Sequence, residues 1–121
     1  MAIGDVVTYK KLSASSFGKA VLVVATSTPG TTVHTAVTGT TNLDKLFLYA
    51  VNNHTAAVAV TVEFGAVTDP TNVWTKTISA DDGPYLICPG FPLQNSLSVA
   101  VFAGTANKVS IYGEIWTVSA T

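Results

Sequence analysis

Short runs of alternating Val, Thr and Ala, broken by clusters of Pro, Gly, Asn and Asp, occupy nearly the whole of this chain. An apolar period of 3.6 nowhere persists over the roughly 11 residues that an amphipathic helix needs. Side chains alternate across a strand, so a pattern of period two asks for sheets with one face in and one face out. The spacing predicts about eight strands and an all-β fold, a two-sheet antiparallel sandwich of jelly-roll-like form.

The expected strands follow the turn signals. Ala20 to Ala25 ends at Thr28-Pro29-Gly30, and Thr31 to Val37 ends at Gly39-Thr40-Thr41-Asn42. Lys45 to Val51 is apolar on both parities, as expected of a strand buried on both faces or on one face plus a subunit contact. After the turn cluster Asn52-Asn53-His54-Thr55, Val58, Val60, Val62 and Phe64 alternate with Ala59, Thr61 and Glu63, so that these two runs are expected to form a hairpin. Val73 to Ala80, a short Tyr85 to Cys88 closed by Pro89-Gly90-Phe91-Pro92, and Leu97 to Val101 come next. The last strand, Val109 to Val118, contains Gly113, which reads as a bulge. Residues 6 to 19 have no sustained period, and the segment 1 to 19 is expected to be an extended N-terminal arm on a sandwich domain of residues 20 to 121.

A chain of 121 residues suits one domain. Its charged fraction is 11% and arginine is absent, against about 25% in ordinary soluble domains, so much of its surface is expected to lie against other subunits. A net charge of −1 provides no general attraction to nucleic acid. The apolar runs fall far short of the roughly 18 residues of a membrane span, and the first residues lack the pattern of a secretory signal, so a cytoplasmic start is expected. Cys88 is the single cysteine, which leaves no intrachain disulfide.

The residue types that carry chemistry elsewhere fit no template here. His34 and His54 match no metal-ligand spacing, Asp81-Asp82-Gly83 reads as a turn and not as a calcium loop, and Glu63 and Glu114 form no marked carboxylate pair. The G-x-S-x-G elbow is missing. No catalytic residue, cofactor or metal is therefore expected. Trp74, Tyr85, Phe91, Phe102, Tyr112 and Trp116 read as core or interface anchors, with a sugar-binding face as the alternative. Tyr9, Lys10, Lys11, Phe17 and Lys19, in the basic leading segment, are the expected contacts to a protein partner.

The order Thr32-Val33-His34-Thr35-Ala36, Leu46 to Asn53, Ala56 to Val62, Pro89 to Leu93 and Ala103 to Gly113 resembles small β-sandwich virion proteins of tailed bacteriophages. That group includes capsid decoration (cement) proteins and tail-associated adaptors, and the likeness runs over about residues 31 to 118. The resemblance implies a non-enzymatic subunit, often a homotrimer, that is made in the bacterial cytoplasm and sits on the capsid surface, where it staples the major capsid protein lattice without touching nucleic acid or membrane. The alternatives are a neck or tail adaptor and a carbohydrate- or receptor-binding module of a tail or fibre.

Overall fold

A computed structural model describes residues 5 to 16 and 19 to 119, and among these there are nine strands and no helix. They are β1 (Val6–Lys10), β2 (Val21–Val23), β3 (Thr31–Thr35), β4 (Leu43–Asn52), β5 (Val58–Phe64), β6 (Val73–Ile78), β7 (Tyr85–Leu93), β8 (Ser98–Ala103) and β9 (Val109–Ser119). Two antiparallel sheets pack face to face. In one, β9 pairs with β4 on one side and with both β1 and β2 on the other, and β4 pairs in turn with β7; the other runs β3-β8-β5-β6. Partners join from the outside inward, β2 with β9, β3 with β8, β4 with β7 and β5 with β6, as in one long hairpin rolled into two layers. This is the jelly-roll order, with β1 added beside β9.

Three local expectations change. β4 and β5 do not form a hairpin, because they lie in different sheets and the chain crosses between layers at residues 53 to 57. The Asn52 amide organises that crossing: its Nδ2 donates to the carbonyls of Ala56 and Ile78 at 3.0 and 2.9 Å, and its Oδ1 accepts the His54 N–H at 2.8 Å. The segment expected as an arm places residues 6 to 10 in the sheet as β1, where Val7 and Tyr9 face outward and Lys10 faces inward; five residues are too few to stand out as a period. Gly113 is no bulge, since β4 and β9 stay in register from Leu43↔Val118 to Asn52↔Val109. Its role is close approach, as a Cβ there would meet the Phe47 carbonyl oxygen at 2.5 Å.

The register shifts fall in β7, which runs on through the expected Pro-Gly-Phe-Pro stop. Pairing skips Gly90 and Ile87, and the strand tolerates Pro89 and Pro92 because it is a sheet edge. Gly90 has φ +96°, and the Phe47 ring lies where its Cβ would be, so no other residue fits there without a shift.

Between the sheets lies an aliphatic core that includes Leu12, Val23, Val33, Leu46, Leu48, Val60, Val62, Ile78, Val99, Val101, Ile111 and Ile115. No Phe, Tyr or Trp side chain is among the buried residues described. The open sides are closed differently. Beside β6 and β7, Phe91 stands edge-on to Phe64 and Trp74, which are tilted against each other, and the Trp74 Nε1–H donates to the Ile87 carbonyl at 3.1 Å. On the opposite side residues 11 to 14 cross from β1 to β3, burying Leu12, and the Ala14 N–H donates to the Val33 carbonyl.

Candidate functional site

The in-register pairing of β4 and β9 arranges their outward side chains in rows: Lys45 beside Trp116, Phe47 beside Glu114, and Tyr49 beside Tyr112. β1 extends the first row with Tyr9, paired to Trp116. The rings touch, with Tyr9 edge-on to Trp116 at 5.2 Å and Phe47 tilted against it at 4.8 Å. Tyr9 is 66% exposed and Tyr112 47%, so a core without aromatics is matched by an outer sheet face rich in them. Such a face is unusual for a surface that meets only water.

Two concavities lie on it. A groove of about 530 Å³ runs over Asp5, Val7, Tyr9, Lys45, Pro92 and Trp116, a volume within the range of small-ligand and side-chain pockets. A shallower depression of about 500 Å³ is lined by Tyr49, Val51, Pro84 and Tyr112. The Trp116 indole N–H is shielded from solvent and has no acceptor among the described residues. A buried donor left unpaired costs about 1 to 3 kcal/mol, so Trp116 occupies its place at the expense of stability.

The residues expected to contact a partner do not gather there. Tyr9 does, but Lys10 turns inward and its Nζ lies 3.4 Å from Asp44 Oδ1. Lys11 Nζ donates to the Leu12 carbonyl at 3.4 Å, Lys19 is exposed with its N–H on the Ser16 carbonyl, and Phe17 lies outside the described residues. Of the aromatics, Trp74 and Phe91 serve the β6–β7 closure, whereas Trp116 and Tyr112 belong to the outer face. Phe47, Tyr49 and Lys45 join them unannounced; the signal was the run from Lys45 to Val51, apolar on both parities.

Polar side chains meet at two buried places. Asp44, fully enclosed, accepts hydrogen bonds from Thr117 Oγ1 at 2.6 Å, His34 Nε2 at 2.7 Å and the Val37 N–H at 3.3 Å. His34 Nδ1 accepts the Ser13 backbone N–H at 3.0 Å, while Ser13 Oγ accepts the Thr35 N–H at 2.8 Å. Ser, His and Asp are thus neighbours, but the serine hydroxyl does not bond the imidazole, and both ring nitrogens are engaged; the set holds residues 11 to 15 against β3. Glu63 is the second place. It accepts from the Gly30 N–H at 2.6 Å and from Thr28 Oγ1 at 2.5 Å, which folds the 28 to 30 turn over an outward position of β5. Among the described residues no three His, Cys, Asp or Glu side chains gather as a metal site would require. Cys88 is buried and donates to the Leu46 carbonyl, and burial pushes its thiol pKa up, so it is a poor nucleophile.

No family model, curated protein or solved structure matches this chain.

Proposed function

We propose that the protein is a structural subunit of a phage virion, without catalytic activity, that binds the major capsid protein lattice through the outer face of the β1-β9-β4-β7 sheet and stabilises the shell. The observation that carries this reading is the outward-facing Tyr9–Trp116–Phe47 cluster, in which Tyr9 is exposed, Trp116 and Phe47 are half-buried and the indole donor is unpaired among the described residues, on a chain with only 11% charged residues. Aromatic side chains are enriched where protein surfaces meet, and each contributes a large apolar area at low entropic cost. At about 25 cal/mol per Å² of apolar burial, a modest contact area repeated over a lattice becomes a large stabilising term. The sandwich, crossed by its own N-terminal segment, serves as a rigid plate carrying that face.

Electron microscopy of intact particles tests this. Copies at capsid lattice positions, in proportion to the major capsid protein, are expected, and their occupancy should fall for Trp116→Ala. A ring of few copies at the neck or tail, or absence from particles, overturns it.

A second reading, a carbohydrate- or receptor-binding module of a tail or fibre, draws on the groove between Tyr9, Trp116 and Lys45. Rings beside a charged group offer the stacking surface and hydrogen bonds that sugars need. Glycan binding lost in Trp116→Ala and kept in Trp74→Phe, with both variants folded, would favour it.

A further inference from the structure

The stretch that follows Leu12 is held to the sandwich by polar contacts more than by apolar burial. Leu12 itself is buried in the core, but Ser13, Ala14 and Ser16 are exposed, and no side chain from 13 to 16 is larger than serine. Three hydrogen bonds among the described residues fasten the stretch to β3, an edge of its sheet. The Ala14 N–H donates to the Val33 carbonyl at 3.3 Å, the Thr35 N–H to Ser13 Oγ at 2.8 Å, and the Ser13 N–H to His34 Nδ1 at 3.0 Å. A segment with so little apolar burial opens at lower cost than the sheets beneath it. The third bond differs from the other two, because its acceptor is a nitrogen that can take a proton instead.

We propose that residues 13 to 16 form an acid-released strap: a second proton on His34 frees them from β3, with Leu12 as the anchor and both sheets still paired. Once Nδ1 is protonated, two N–H groups face each other and the bond to Ser13 turns into a repulsion. While the strap is shut, burial works against a charged ring, and Lys10 from β1 and Lys11 beside Leu12 add to it. β8, which sets Val99 opposite His34, carries no charged residue to offset them. Asp44 from β4 pulls the other way, but its carboxylate is shared with Thr117 of β9, the Val37 N–H and Lys10 Nζ. A depression of about 390 Å³ lined by Tyr9, Lys10, Lys11, Ser13 and Thr35 already reaches His34. Lifting the strap opens the ring to water from that side and leaves Asp44 at its Nε2, so the open form is the better base. It also uncovers the Val33 carbonyl and the Thr35 N–H, edge groups of β3 that the strap otherwise caps.

Amide hydrogen exchange of the intact chain, resolved by NMR at about pH 7.5 and about pH 5.5 and corrected for the intrinsic pH dependence of exchange, reads the opening directly. An open form that takes the proton at the ordinary histidine value of 6.5, against a closed form that does not, should lower protection at Ala14 and Thr35 about tenfold between the two conditions. At both, protection there should stand about a hundredfold or more below that of the β5 and β8 amides and, unlike theirs, should not respond to low urea, because a local opening exposes little surface. His34→Gln, with nothing to titrate at this place, should abolish the pH difference. Ser13→Ala removes the acceptor of the Thr35 N–H but keeps the backbone bond to His34, so it should lower protection at Thr35 and leave the tenfold ratio at Ala14. Wild-type protection at Ala14 and Thr35 that ignores pH, that matches the sheets and falls with urea as theirs does, or a His34→Gln protein that keeps the ratio overturns the proposal.

Discussion

His34 donates from Nε2 to the carboxylate of Asp44 across 2.7 Å, while the Ser13 N–H occupies its Nδ1. An imidazole nitrogen that accepts a backbone N–H carries no proton, so the geometry sets the ring neutral and in the Nε2–H form. To protonate it, the chain must give up the bond to Ser13 and with it a clamp on the N-terminal crossing.

Stability should therefore depend on pH in two steps. Burial pushes His34 below its ordinary 6.5, outweighing the opposite pull of Asp44. Burial alone would raise Asp44, but the hydrogen bonds from Thr117 and His34 win and hold it below 3.8. Both groups are depressed in the folded state, so the unfolded chain binds more protons and stability falls as pH falls. The first loss begins as pH drops through 6.5 and the second as it drops through 3.8. Urea unfolding from pH 8 to pH 3 measures both; His34→Gln should remove the first step, and a wild-type curve flat between pH 7 and pH 5 would contradict the assigned tautomer.

Glu63 acts as a latch whose strength can be read separately. Glu63→Ala strands the Gly30 N–H and the Thr28 hydroxyl beneath the 28 to 30 turn and should cost about 2 to 3 kcal/mol. Glu63→Gln should cost about half as much, since the Thr28 hydroxyl can rotate to accept from the new amide. Chemical denaturation of the two variants compares them, and equal losses would mean that charge, not shape, holds the turn.

Two glycines differ in what surrounds them. Gly113→Ala drives a Cβ into the Phe47 carbonyl and should destabilise by about 1 to 3 kcal/mol. At Gly104 the nearest atoms stand 4.0 Å from the added Cβ, so Gly104→Ala should be close to neutral. Thermal unfolding of both gives the contrast directly.

Asn52→Asp is nearly isosteric yet turns the group that donates to the Ala56 and Ile78 carbonyls into an acceptor. Carboxylate oxygens facing two carbonyls in a buried site should cost about 3 kcal/mol or more at neutral pH, with part of it recovered on acidification as the new carboxyl takes a proton. Asn52→Ala, which removes the group without adding charge, serves as the reference.

Strand positions were legible where alternation was long. Val58 to Phe64 coincides with β5, and the expected runs at 31 to 37, 45 to 51, 73 to 80 and 109 to 118 overlap β3, β4, β6 and β9. Alternation states which side chains face inward but not which strand lies alongside, so the apparent hairpin of β4 with β5 hid a crossing that depends on the single amide of Asn52. β7 was cut short because Pro89-Gly90 is a stop in most contexts and is tolerated here only at an edge. The outer aromatic face was half legible: Trp116 and Tyr112 stood among the candidates, but their joining to Phe47 and Tyr9 depends on the register of three strands that are remote in sequence. His34 with Asp44, and Glu63 beneath its turn, were invisible because each is defined by a tertiary contact with no spacing motif.

The outside-inward pairing also sets an order on events at the ribosome. β9 is the interior strand on which β1, β2 and β4 all rely, and it is the last of the nine to be made. Until residue 119 has cleared the exit tunnel, β1 and β2 have no strand to pair with and the face bearing Tyr9 and Trp116 does not exist. The nascent chain therefore waits with its earliest segments unpaired, and the surface proposed to hold a partner is assembled only once β9 has been made.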